Sequence, residues 1–236
     1  LNSKRNEILD MFNGKNKNNN EKKEKIKEGV DFIFEQNPEL AQVGTVKQYS
    51  EYLDTIFPDS KVRNIVYHGS DKKDIEQFKP GKLDIGVHFG TLGAAQYRGE
   101  KSESHRIYSA LINILKIKEV PDLYVFNQHN VFNYLLNEGL VKEDERSDLD
   151  NLYKKTPINN YRDNGGDAMF EYLQSKMDAD SLKYVNEFED KGSVSYVVFN
   201  PNNIHVLGSD DDIVGFKQFV ANKNEELLQE SEKYTG

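Results

Sequence analysis

Three short stretches hold the residues that can do chemistry. NIVYHGS, at 64–70, is an apolar run that closes on His68, Gly69 and Ser70. Ile65, Val66 and Tyr67 favour a strand and Gly69-Ser70 a turn, so the spacing predicts His68 on the strand's last rung, facing a cleft or capping a core. GVHFGTLGAAQY, at 86–97, passes through a Gly-Thr turn into a short helix and offers His88, Phe89, Thr91 and Tyr97. YVNEFED, at 184–190, holds Glu187 and Glu189 two residues apart. On a regular strand both would share one face, opposite Tyr184, Asn186 and Phe188, and periodicity does not choose between them. An imidazole can hydrogen-bond a ligand hydroxyl, a phenol can stack on a flat ring, and a carboxylate can stabilise positive charge developing beside it. The plain alternatives are a satisfied core histidine, ordinary core aromatics and an acidic turn in water.

Those side chains need a core to position them, and the apolar period changes near residue 61. Upstream, Ile26, Val30, Ile33 and Phe34 recur at helical spacing before Pro38. Thr45 and Gln48 then have the capping-box spacing that opens a helix carrying Val46, Tyr49, Leu53, Ile56 and Phe57. NEILDMF at the start reads as a short helix, and the Asn/Lys tract after it as a linker. Downstream, VRNIVYHG, GVHFG, IYSALINILKI, LKYVNEF and VSYVVF are β-branched and aromatic runs bounded by turn residues, hence strands. NVFNYLLNEG reads as a helix with Asn130 as N-cap and Gly139 at its C-terminus, and DAMFEYLQSKM as another. SDDDIVGFKQFVANKNEELLQESEKYTG opens a last helix on acids that suit its N-terminal dipole. This irregular mixture predicts an α+β architecture rather than a doubly wound sheet. The expected division is a helical segment at 1–60, a main α+β domain carrying the three stretches at 61–209, and a C-terminal helix with charged tail at 210–236.

Composition narrows the chemistry further. The chain of 236 residues has no cysteine, which excludes disulfide scaffolds, thiol nucleophiles and cysteine-bound metal centres. Lys and Arg number 31 against 40 for Asp and Glu, a formal charge of -9 that repels phosphate backbones over most of the surface. No signal peptide or long apolar run is evident, so a cytoplasmic protein without membrane contact is expected. GTLGAAQ lacks the lysine of a P-loop and the spacing of a dinucleotide fingerprint. His105, His129 and His205 have no acidic or histidine partner at metal-ligand spacing, so no metal is expected.

Taken in order, YHGS, GVHFGTLGAAQY and KYVNEFEDKGSVSYVVFNPNNIHVL resemble the His-Tyr-Glu branch of the ADP-ribosyltransferases, the superfamily of diphtheria-type toxins and poly(ADP-ribose) polymerases. The likeness is greatest to the compact transferase domains of phage and mobile-element proteins, and it spans about residues 62–209. It implies two small, mostly antiparallel sheets around a cleft that takes NAD as substrate, buttressed by the N-terminal helices. Breaking the nicotinamide–ribose bond creates an oxocarbenium-like sugar, so a donor, an aromatic platform and a carboxylate must surround the ribose. By resemblance, His68 bonds the ribose hydroxyl, Gly69 lets the main chain approach the carboxamide, and Tyr97 stacks on the nicotinamide. The pattern Tyr-x-Asn-x-aromatic-Glu, met by Tyr184, Asn186, Phe188 and Glu189, selects Glu189 as the catalytic acid.

Ser70, His88, Phe89, Thr91 and Glu187 complete the NAD-binding set that the resemblance implies. His88 stands where the polymerases carry a tyrosine, and Ser195 where they carry their glutamate. Ala94 stands where they use a serine, a role nearby Thr91 can take. Arg63, Arg98 and Arg106 are candidate partners for the pyrophosphate. The implied function is transfer of ADP-ribose from NAD to a macromolecular acceptor, host protein being favoured over nucleic acid, as in a phage effector or bacterial toxin. Two rivals keep a related fold. A degraded site that binds NAD, ADP-ribose or protein without turnover is favoured by His88 and Ala94, and RNA 2′-phosphotransfer is disfavoured by the acidic composition.

Overall fold

The computed structural model describes residues 26–79, 84–99, 104–148, 151 and 166–233; the expected NEILDMF helix and its linker lie outside them. The first helical run breaks at Pro38 into α1 (Val30–Gln36) and α2 (Leu40–Val43). The capping box then forms as its spacing predicts, with Gln48 N donating to Thr45 Oγ1 at 3.2 Å and Thr45 N to Gln48 Oε1 at 2.9 Å, and opens α3 (Val46–Thr55). Tyr49 and Leu53 on its buried face pack with Val30, Ile33 and Leu40.

Beyond residue 61 the chain forms β1 (Val66–Ser70), β2 (Val87–Phe89), α4 (Leu92–Gly99), β3 (Arg106–Ile112) and β4 (Ile117–Glu119). There follow α5 (Gln128–Asn137), α6 (Gly166–Met177), β5 (Ser181–Val185), β6 (Val194–Val198), β7 (Ile204–Val206) and α7 (Asp210–Lys233). The strands make two sheets, β1-β3-β7 and β2-β6-β5-β4, antiparallel throughout except where β4 runs parallel to β5. The protein is therefore α+β with two mostly antiparallel sheets. Among the described residues, no helix is long and apolar enough to cross a membrane.

Several boundaries differ from those the sequence predicts. His68 is not the last rung of its strand: it pairs with Tyr108 in mid-β1, and the strand continues to Ser70. IYSALINILKI divides between the two sheets as β3 and β4, because the Asp180 carboxylate accepts from Leu115 N at 2.8 Å and Lys116 N at 3.0 Å and turns the chain there. The N-cap of α5 is Asn127, which accepts from Asn130 N at 2.9 Å; Asn130 sits in the first turn and donates instead to Val125 O. Gly139 closes α5 at φ +71°, as expected of a C-terminal glycine.

Nor do residues 60 and 210 separate packing units. One cluster joins Val30, Tyr49 and Leu53 to Ile65 beside β1, Leu111 of β3 and Phe216 of α7. Within it Asp212, fully buried, accepts from Tyr49 Oη at 2.5 Å and Gly208 N at 2.8 Å, and lies 2.7 Å from His205 Nε2. A buried carboxylate must be satisfied in this way, and its partners come from both ends of the chain. The helical segment, the sheets and the C-terminal helix thus share one core. A second cluster fills the space between the sheets, and a third sets α5 and α6 against the sheet of β5 and β6.

Candidate active site

The two sheets meet where Tyr67 and Gly90 exchange backbone hydrogen bonds, each at 2.9 Å. That bridge sets His68 directly beside the end of β2. Alternation along β1 sends Tyr67 towards Phe32 and the helical core, and His68 the other way, against Phe78 and Phe89 at 4.9 and 5.7 Å between ring centres. His68 Nδ1 lies 2.7 Å from the His88 carbonyl, which can only accept, so Nδ1 carries the proton. Burial, with the nearby Arg98 and His105, holds the imidazole below its usual pKa although that hydrogen bond opposes the shift. The neutral ring therefore turns an Nε2 lone pair, unpartnered among the described residues, to the cleft. It is a half-satisfied histidine: one nitrogen is structural and the other is available.

Gly69 follows, and its lack of a side chain serves packing. A Cβ there would stand 2.5 Å from Ala95 O and 2.6 Å from His105 Cε1, so only glycine lets α4 lie this close to β1. His105 Nε2 lies 2.9 Å from the same carbonyl and fixes the helix in place. Thr91 caps α4, its hydroxyl accepting from Ala94 N at 3.1 Å and donating to Asp190 at 2.5 Å, so it is committed to structure rather than to a carboxamide. The helical period then turns Ala94, Ala95 and Arg98 to the cleft. Tyr97 stands at the edge of that face, 51% exposed and outside the lining, which departs from the platform role expected of it.

The acidic stretch departs from expectation as well. β5 ends at Val185, and 186–193 form a loop, so the two glutamates do not share a strand face. Asn186, buried, donates to Ser193 Oγ at 3.0 Å and Ser195 Oγ at 2.7 Å and pins the loop to β6. Glu189 then turns into the cleft, where Arg98 Nε donates to its Oε1 at 2.5 Å. Glu187 points to solvent outside the lining, its main-chain N–H held by Asp122 at 3.0 Å. The loop is bolted to α4 twice, by Glu189 on Arg98 and by Asp190 on Thr91. No local pattern marks Asp190 for that role, because an acid following Glu189 looks like any turn acid.

His68, His88, Phe89, Arg98, Tyr184 and Glu189 line the resulting narrow, solvent-open cleft. His88 Nδ1 lies 3.3 Å from Tyr184 Oη. Burial, together with Arg98 and His68, pushes the His88 pKa down to about 3, while burial and the Glu189 charge push the Tyr184 phenol up to about 12. Both groups are neutral at pH 7. The floor is thus uncharged and half aromatic, with one ion pair at its edge.

Of the residues singled out in the sequence, His68, Gly69, His88, Phe89 and Glu189 come together here, and Ser70, Thr91, Tyr97 and Glu187 do not. Ser70 accepts from Lys72 N at 3.2 Å in the turn after β1. Among the three arginines only Arg98 reaches the cleft. Arg63 caps the end of α3 through the Ile56, Phe57 and Asp54 carbonyls, and Arg106 donates to His105 O. Tyr184, which strand alternation assigned to the opposite face from the glutamates, is part of the lining. Among the described residues no group of three or more His, Asp or Glu is placed to hold a metal ion. No protein-family model, curated protein or solved structure matches the chain.

Proposed function

We propose that this chain is an NAD-dependent ADP-ribosyltransferase of the His-Tyr-Glu type, moving ADP-ribose from NAD to a macromolecular acceptor, with protein favoured. The observation that carries the reading is the meeting of His68 and Glu189, far apart in the chain, across one solvent-open cleft. Fold likeness alone would not fix an activity, so the proposal rests on what these groups can do. The Nε2 lone pair of His68 accepts from a ribose hydroxyl. Glu189, paired with Arg98, stabilises the positive sugar as the C–N bond breaks and its electron pair leaves on the nicotinamide nitrogen. The acceptor's nucleophile then bonds to the anomeric carbon and gives up a proton. The neutral, half-aromatic floor of His88, Phe89 and Tyr184 suits a flat, uncharged leaving group better than a phosphate.

Incubation with NAD carrying label on the adenylate half, with and without protein acceptors, tests the proposal. Nicotinamide release together with label on protein is the expected result; no release under any condition would sink it. A second reading, recognition of NAD or ADP-ribose without turnover, is favoured by Tyr97 lying outside the cleft and by Arg98 occupying one oxygen of Glu189. Saturable NAD binding with no release would select it.

A further inference from the structure

The β1-β3-β7 sheet has an open margin at the start of β3. β7 pairs only with Ala110, Leu111 and Ile112, and after Val206 the chain turns at Gly208 (φ +76°) into α7. Leu207 N donates to Ser109 O at 2.9 Å and Asn113 N to Asn203 O at 2.7 Å, so the odd-numbered residues of β3 turn their main-chain groups to this side. The next in that series is Ile107, whose N–H and C=O point away from β1 where no strand of the described residues lies beside them. Unpaired margins of this kind are usually blunted or covered. This one instead forms the floor of a groove of about 410 Å³ that shares no lining residue with the His68–Glu189 cleft. Both walls are built. In front, the Lys73–Glu76 stretch is held to β3, Tyr108 Oη donating to Lys72 O at 2.8 Å and accepting from Ile75 N at 3.4 Å, while Glu76 accepts from Asp210 N at 3.1 Å. Behind, Asn37 at the end of α1 packs on Gly208, where a Cβ would stand 2.4 Å from its Nδ2. In the lining Lys73 and Arg106 balance Asp74 and Glu76; beside it Asp71 and Lys72 cancel, and Asp210 and Asp211 leave a small negative excess.

We propose that this groove binds an extended peptide segment of a partner protein, which continues the sheet by pairing its main chain with Ile107 of β3. A peptide main chain carries no net charge and turns a donor and an acceptor to one side at every second residue, which is what Ile107 lacks and what the balanced lining suits. Four extended residues reach about 13 Å, the length that Arg106–Ser109 presents. Walls on both sides admit a single strand and obstruct the flat margin of another sheet, which argues against a second copy pairing through its own β3. Nucleic acid would bring its phosphates against Asp74, Glu76 and Asp210. The inference is independent of the transferase reading, because no group of the cleft takes part in it.

The test is NMR on the isotope-labelled full chain, titrated with the capped peptide acetyl-Thr-Val-Thr-Val-Thr-amide. Its fully N-methylated analogue, which keeps the side chains and loses every main-chain donor, is one control, and an oligothymidine is the other. The Ile107 amide signal should move saturably with the peptide and with neither control. In the free chain that amide should exchange readily with solvent, and at a peptide concentration ten times Kd its exchange should slow about tenfold. Ile107→Pro removes the donor at a margin position, where a strand tolerates proline best, and should abolish binding. The comparison with the methylated analogue decides the matter even where that variant fails to fold. An equal response to the analogue means that the groove reads shape and not main chain, and overturns the proposal. A response to the oligothymidine, or none to the peptide at millimolar concentration, overturns it as well. So does an Ile107 amide already protected in the free chain; protection that grows with protein concentration would give the margin to a second copy instead.

Discussion

Glu189 presents one carboxylate oxygen to Arg98 and leaves the other to the cleft. If the charge acts mainly on the breaking bond, Glu189→Gln keeps the shape of the side chain and loses the stabilisation. Nicotinamide release should then fall by about 10²–10³ while NAD affinity, measured by calorimetry, stays nearly unchanged. Glu187→Gln should change release little, because that side chain lies outside the cleft. Silencing by the second variant and not the first would assign the chemistry to the wrong glutamate.

The two cleft histidines make a separate, activity-free prediction. Both are held below the usual 6.5, His88 at about 3. Below pH 6.5 the unfolded chain therefore binds protons that the folded chain refuses, and stability is lost as the pH falls towards the folded values. Carboxylates with lowered pKa, such as Glu145 at about 2, begin to contribute only near and below 4.5, so the interval from pH 6.5 to about 5 reports the histidines. Urea midpoints should drop across that interval, and His88→Asn should flatten the slope. An unchanged slope in the variant would mean that His88 is solvated and titrates normally.

At the scale of elements, the cleft wall depends on how closely α4 lies on β1. In Gly69→Ala the new methyl meets the Ala95 carbonyl and the His105 ring, both of which belong to one hydrogen-bonded contact. The helix must move outward, at a cost of about 1–3 kcal/mol by the measure of overpacked cores. The displacement also carries Arg98 away from Glu189, so NAD binding should weaken in step with the loss of stability. Urea unfolding and calorimetry on the same variant check both halves. A variant as stable as wild type would show that β1 and α4 are not in contact as described.

For the whole molecule, the decisive contact is the one that ties the two ends of the chain together around Asp212. Tyr49→Phe removes one donor from a buried carboxylate and keeps the ring, and should cost about 1–3 kcal/mol in unfolding free energy. A chain starting at residue 61 loses more: Ile65, Leu111, Leu207 and Phe216 are stripped of the helices that cover them. It should aggregate or fail to give a cooperative unfolding transition. A soluble, cooperatively folding fragment from that start would restore the boundary that the change of apolar period marks.

Features written within a few residues of each other were legible in the sequence. The Thr45–Gln48 box, the close of α5 at Gly139, the strand runs and the α+β class all follow from caps, turns and periodicity, whose partners lie within one turn or one pleat. His68, Gly69, His88, Phe89 and Glu189 were likewise named from their types and order. What the tertiary structure alone decided involves partners distant in the chain. Asp180 splits one apolar run between two sheets, and Ala95 gives Gly69 its reason. Asn186 and Thr91 bend the acidic loop so that Glu189, not Glu187, enters the cleft, and the rotation of α4 on β1 brings in Arg98 in place of Tyr97. A side chain's neighbour in sequence is set by covalent geometry, but its neighbour in space is set by how separate elements pack, and no periodicity encodes that.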